Sequence, residues 1–184
     1  MTRTLMVVLL ATLSACGCMG QDNPLLFRAS FDEALTAEVA GGNPEAVWAR
    51  GGTAIVADET RGSCARVPAG AQLLYDAPGN VYWERGTLSF WWLCEEPIGQ
   101  TEFTVASLGS FDHFYFGRWL RLYALGGQLF MHIWDWHYDT TRLVVSSGEF
   151  LPQQGQWYHV ALGWDAAKGF ALYVDGQRIG GSDR

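Results

Sequence analysis

The chain has 184 residues, 49% of them apolar, enough for one sizeable core behind a short leader and too apolar for a disordered chain. A net charge of −7 argues against a phosphate backbone as partner, so no nucleic acid is expected. Glycine at 22 positions, with 14% aromatic residues, points to short strands joined by tight turns rather than to helices.

Residues 1–20 read as an export signal and tether. Arg3 supplies the positive start, Leu5 to Leu13 is an apolar run too short to span a membrane, and small residues follow. Leu13-Ser14-Ala15-Cys16 resembles a bacterial lipobox, which implies a lipidated Cys16 as the first mature residue. Cys18 fits that role worse, and plain secretion is the alternative. The expected location is extracytoplasmic, with a membrane tie only through the lipid anchor. Residues 21–184 are then the folded domain. An oxidising compartment permits a disulfide between its two cysteines, Cys64 and Cys94, neither of which has a partner at zinc spacing.

About a dozen strand-like runs follow, separated by Gly, Pro, Asn and Asp. They are Leu25–Phe31, Ala46–Ala49, Thr53–Val56, Cys64–Val67, Gln72–Tyr75, Gly86–Cys94, Phe103–Gly109, Phe114–Ala124, Gln128–Trp136, Arg142–Ser146, Trp157–Trp164 and Phe170–Val174. Only Phe31–Gly42 has a helical flavour, and it is short and ends in glycines. The pattern predicts an all-β, antiparallel sandwich or jelly roll. In the run from Trp157, side chains alternate between two largely apolar faces, as in a central strand covered on both sides. Asp175-Gly176 predicts a two-residue hairpin turn, with Asp175 as turn former.

"GQWYHVALGWDAAKGFALYVDGQRIGG" resembles the W-H-H-V-A…W-D…L-Y-V-D-G signature of laminin-G-like and concanavalin-A-like jelly-roll domains. "GTLSFWW" at Gly86–Trp92 is similar to the G-T-I-S-F-W strand of that family, and "LLFRASFDEAL" to its opening strand. The resemblance implies a two-sheet jelly-roll sandwich and leaves the function open. It also implies a further strand of the type D-E-V-R-I-Y that closes on the N-terminal strand. No such segment precedes Arg184, so a longer protein is expected, with an exposed edge around Leu25–Phe31 if the strand is missing. Calcium is the cofactor the resemblance implies. Asp32 best matches a family ligand, although its usual partners lie in the closing strand. His159 stands where the family has a strand histidine and reads as a core imidazole.

Catalysis has little support. Glycoside hydrolysis needs two carboxylates flanking the scissile bond, and the Glu-x-Asp-x-x-Glu run of laminarinase-like relatives is absent. Glu95 and Glu96 are adjacent and so face opposite ways, while Asp139 of the Asp135/Asp139 pair falls in a turn. His113, His132, His137 and His159 form no His-Glu-x-x-His pattern. The unusual stretch is Phe111–Tyr138, with ten aromatic residues among twenty-eight. Alternation after Gly127 puts Phe130, His132, Trp134 and Trp136 on one face and Met131, Ile133 and Asp135 on the other. If the first face looks away from the core, Trp134 and Trp136 are stacking surfaces for sugar rings, with His132 and Arg118 or Arg121 as polar contacts. If not, they are core. The expected role is a non-catalytic recognition module for carbohydrate. The alternatives are a structural or adhesion domain that docks on protein at the cell surface and, less favoured, a glycan hydrolase.

Overall fold

Gly, Asn and Asp cut the chain into short extended runs, and every regular element among the described residues is a strand. The structure is a computed structural model. It describes residues 4–8, 25–95, 97–100, 102–109, 118–135, 143–148 and 150–183, with backbone alone for 4–8, 118–119, 134–135, 143–145 and 183. These residues form two compact units: the chain up to Tyr82 with Leu88–Trp92, and Trp83–Thr87 with Leu93 onward.

The first unit holds β1 (Thr4–Val8), β2 (Phe27–Arg28), β3 (Val39–Ala40), β4 (Ala46–Arg50), β5 (Ala54–Asp58), β6 (Gly62–Pro68), β7 (Gln72–Tyr75) and the middle of β8 (Arg85–Leu93). Strand order is β8-β1-β6-β5, beside two small antiparallel pairs, β2-β3 and β4-β7. The buried core includes Phe31, Cys64, Ala65, Phe90 and Trp92. Asn80 pins two loops together. Its Oδ1 accepts from the Gly42 amide at 2.9 Å, and its Nδ2 donates to the carbonyls of Asn43 and Asp76 at 2.9 and 2.8 Å. The loops meet so closely that a Cβ on Gly41 would lie 2.4 Å from the Gly79 carbonyl oxygen.

Three expectations change here. The strand expected over Leu25–Phe31 shrinks to two residues because Phe31 turns the chain at φ 65°. Phe31–Gly42 is not helical. It is a bend followed by β3, in which Glu38 accepts from the Ser30 amide at 3.0 Å and from the Ser30 hydroxyl. The third change concerns the leader. Thr4–Val8, expected to lie outside the fold, forms β1, antiparallel to β6 with Leu5 opposite Val67 and Met6 opposite Arg66. The physical reason is composition: Leu-Met-Val-Val suits a covered strand as well as it suits an export signal.

The second unit holds β9 (Phe103–Leu108), β10 (Arg118–Leu125), β11 (Gln128–Asp135) and β12 (Leu143–Ser146) in the antiparallel order β12-β11-β10-β9. It also holds β13 (Trp157–Asp165), β14 (Gly169–Val174) and β15 (Gln177–Asp183), with β14 paired to both neighbours. On β13, Tyr158, Val160 and Leu162 are 3, 0 and 0% exposed, whereas Trp157, His159, Ala161 and Gly163 are half-buried. One face is therefore core and the other only partly covered, where the sequence suggested cover on both. Beyond Asp175-Gly176 the chain returns as β15, a full strand against β14.

Candidate functional site

Both aspartates of the β13–β14 region are turn formers. Asp165 Oδ1 accepts from the amides of Ala167 and Lys168 at 2.8 and 3.1 Å, which closes the β13–β14 turn. Asp175 and Gly176 sit at φ 49° and 79°, the left-handed pair that a type I′ turn requires. The Asp175 carboxylate also reaches across and accepts from the His159 amide at 2.9 Å. His159, Asp165 and Asp175 thus belong to the framework rather than to a reactive centre.

The polar and aromatic groups gather instead on β9–β11. Leu120, Leu122, Ala124, Leu129 and Met131 are 5% exposed or less and define the core face of β10 and β11. The opposite face carries two cross-strand pairs in register, Arg121 with His132 and Tyr123 with Phe130. The core therefore takes the Met131 side, and Phe130 and His132 lie on the side turned from it. Tyr123 and Phe130 stack with centroids 5.2 Å apart and planes at 13°. The Arg121 guanidinium lies 5.0 Å above Tyr123, donates through Nε to Thr104 Oγ1 at 2.7 Å, and pairs with Glu102 at 2.5 Å. Three groups hold the guanidinium, which lowers the ordering cost of a contact it makes. Glu102 remains 43% exposed, so the group is open to solvent at that end. His132 lies deeper, at 8% exposure.

Of the expected ligand residues, the structure brings Arg121 and His132 together. The β11 backbone carries Trp134 opposite Trp119, and Arg118 stands opposite Asp135, but the side chains of Trp134 and Arg118 lie outside the described residues, as does all of Trp136. Sequence reasoning missed Tyr123, Glu102 and Thr104. Alternation along β10 puts Tyr123 on the Arg121 face and offered a signal for it. Nothing signalled Glu102 and Thr104, because a register shift after Leu122 sets Thr104 opposite Tyr123, and Glu102 stands just ahead of β9.

The remaining candidates are apart from this face. Cys64 and Cys94, the possible disulfide pair, are each a buried thiol. The Cys64 thiol donates to the Val56 carbonyl at 3.5 Å within the β5–β6 pair. The Cys94 backbone is held by Gln156 and Gly155, and burial pushes its thiol up to about 11. Cys16 lies outside the described residues. Asp32 is exposed in a bend, its amide donating to Ser30 Oγ at 3.3 Å. Among the described residues no three His, Cys, Asp or Glu side chains converge at Asp32 or elsewhere. Glu96 and Asp139 lie outside the described residues, and so does the Asp135 side chain; Glu95 is half-buried.

A family model described as the concanavalin A-like lectin/glucanases superfamily, of laminin G type, matches residues 68–184. The chain belongs to that family. The match runs from the end of β6 through β15 and so includes the whole β9–β12 sheet. The all-β, antiparallel architecture agrees with the jelly-roll sandwich of concanavalin A-like proteins, which include carbohydrate-binding and protein-interaction modules as well as glycosidases. Comparison with curated proteins and with solved structures found no match.

Proposed function

We propose that the chain is a non-catalytic carbohydrate-recognition module and that the Arg121–Tyr123–Phe130 face of β9–β11 is its binding surface. The observation that carries this reading is the three-sided hold on Arg121 beside a stacked aromatic pair, on the face turned from the core. Sugar rings present apolar faces and vicinal hydroxyls. A ring surface takes the first, while a fixed guanidinium, a carboxylate and a hydroxyl take the second. An aromatic contact contributes about 0.5–1.5 kcal/mol, so binding is weak for a single sugar and gains from repeated ones. Trp134 follows on the same strand and, with Trp136 two residues on in the sequence, extends the surface in this reading. We further propose that the chain is exported and anchored through Cys16, on the strength of Leu13–Cys16 alone.

The test is a glycan array on the full chain, repeated with Arg121→Ala and Tyr123→Ala. Both variants are expected to keep the fold by circular dichroism and to lose about tenfold or more of the strongest glycan signal, as about 1.4 kcal/mol of lost contact requires. Unchanged signals on folded variants would remove this face from consideration. A folded chain that binds no glycan turns the reading toward protein docking, for which β4 offers Val47 and Trp48 at 50 and 40% exposure.

A further inference from the structure

Among the described side chains of β9–β12, Arg121 is the one Arg, Lys, Asp or Glu, and Glu102, the residue before β9, pairs with it at 2.5 Å. The two charges sum to zero. Their strand neighbours add hydroxyls rather than charge, with Ser107 opposite Arg121 and Thr104 opposite Tyr123. Glu102 is not needed to orient the guanidinium, because Thr104 Oγ1 accepts from its Nε at 2.7 Å and the Tyr123 ring lies beneath it. What Glu102 adds is a negative charge at the end of the group that is open to solvent, where it is 43% exposed.

That charge sorts ligands. A sugar hydroxyl both donates and accepts, so a single hydroxyl accepts from the guanidinium and donates to the carboxylate without disturbing either. A uronate or a sulfate offers acceptors alone. It meets the guanidinium only as a rival of Glu102, at like charge, and the chain's net −7 repels it further. A protonated amino sugar gains at Glu102 and is repelled at Arg121. We propose that Glu102 is the specificity-determining residue of this face: it reserves the surface for neutral sugars and closes the Arg121 guanidinium to uronates, sulfated sugars and other anions. The sugar in this assignment rests on the carbohydrate reading, whereas the exclusion of anions rests on the ion pair alone.

The experiment uses the full chain and its Glu102→Gln variant, which keeps the shape of the side chain and removes its charge. Inorganic sulfate is the anion probe, read by NMR titration at the Arg121 Nε–H resonance, which Arg121→Lys identifies by its loss. The variant is expected to bind sulfate about fivefold more tightly than the parent or better, and the gap to narrow as sodium chloride is raised. Glu59→Gln removes the same charge from an exposed turn of the first unit and is expected to track the parent. On a glycan array the parent is expected to prefer neutral glycans, and Glu102→Gln to gain uronate-bearing and sulfated ones. Equal sulfate binding by parent and Glu102→Gln, sulfate bound by neither, or strongest parent signals from acidic glycans would overturn the proposal. A sulfate gap without any glycan signal from the parent upholds the exclusion of anions and removes the carbohydrate reading instead. Should Glu102→Gln not fold, Glu102→Ala takes its place; if neither folds, Glu102 is structural and the proposal falls.

Discussion

The β10–β11 and β13–β14 pairs obey the same alternation and use it for different ends. Each buries one face completely, with Leu122 and Met131 in the first and Val160, Leu162 and Leu172 in the second, all 0% exposed. The second faces differ. On β13 that face holds Trp157, His159, Ala161 and Gly163, and the charged residues at its turns are spent on backbone amides. On β10–β11 it holds Arg121, Tyr123, Phe130 and His132; there Arg121 pairs with Glu102 and lies over Tyr123, which stacks on Phe130. Two strands with the same burial pattern therefore differ in what their polar groups bond to. That difference, more than the presence of a histidine or an aspartate, separates a framework pair from a candidate binding pair.

Core truncation tests the part the two pairs share and has the largest expected effect. Leu122→Ala and Leu162→Ala should each cost about 2–5 kcal/mol of stability, read as a lower urea midpoint. A loss under about 1 kcal/mol at either position would mean that its pair is not packed as described. A smaller effect separates the two pairs. A Cβ on Gly86 would lie 2.4 Å from Cζ2 of Trp164, a rigid ring atom on β13. Gly86→Ala should therefore cost about 1–3 kcal/mol and leave glycan binding by the folded fraction unchanged. Altered glycan specificity in that variant would join the two surfaces that the comparison separates.

The smallest effect is a pH dependence on the framework side. The Cys94 thiol, next to the loop that leads into β13, is raised by burial from 9.0 to about 11. A group whose folded value is raised contributes stability that is fully present below its ordinary value and lost as the pH climbs through the raised one. The Cys94→Ser variant should therefore lack part of the stability loss that the parent chain shows between pH 9 and pH 11, followed by thermal unfolding. Matching slopes for parent and variant would remove Cys94 as their source.

Much of the framework was legible because its signals are local. Asp175-Gly176 specifies a turn by backbone conformation alone, and Gln72–Tyr75 matches β7 residue for residue. The candidate site was half legible for the opposite reason. Arg121 and His132 follow from alternation within their own strands, but Thr104 joins them through a register shift that sets it opposite Tyr123, and Glu102 from just ahead of β9, neither of which a period reveals. β1 was illegible because one composition serves two environments: a run such as Leu-Met-Val-Val satisfies a membrane-directed leader and a doubly covered strand alike.

The turns that join β13, β14 and β15 have a consequence in time. Three residues separate β13 from β14 and two separate β14 from β15, so these strands meet after closing the shortest of loops. The β1–β6 ladder instead joins Thr4 to Pro68, across most of the first unit. Closure entropy grows with loop length, and contacts between distant residues form more slowly than those between neighbours. The C-terminal meander is accordingly placed to fold early, and the β1–β6 ladder to form late.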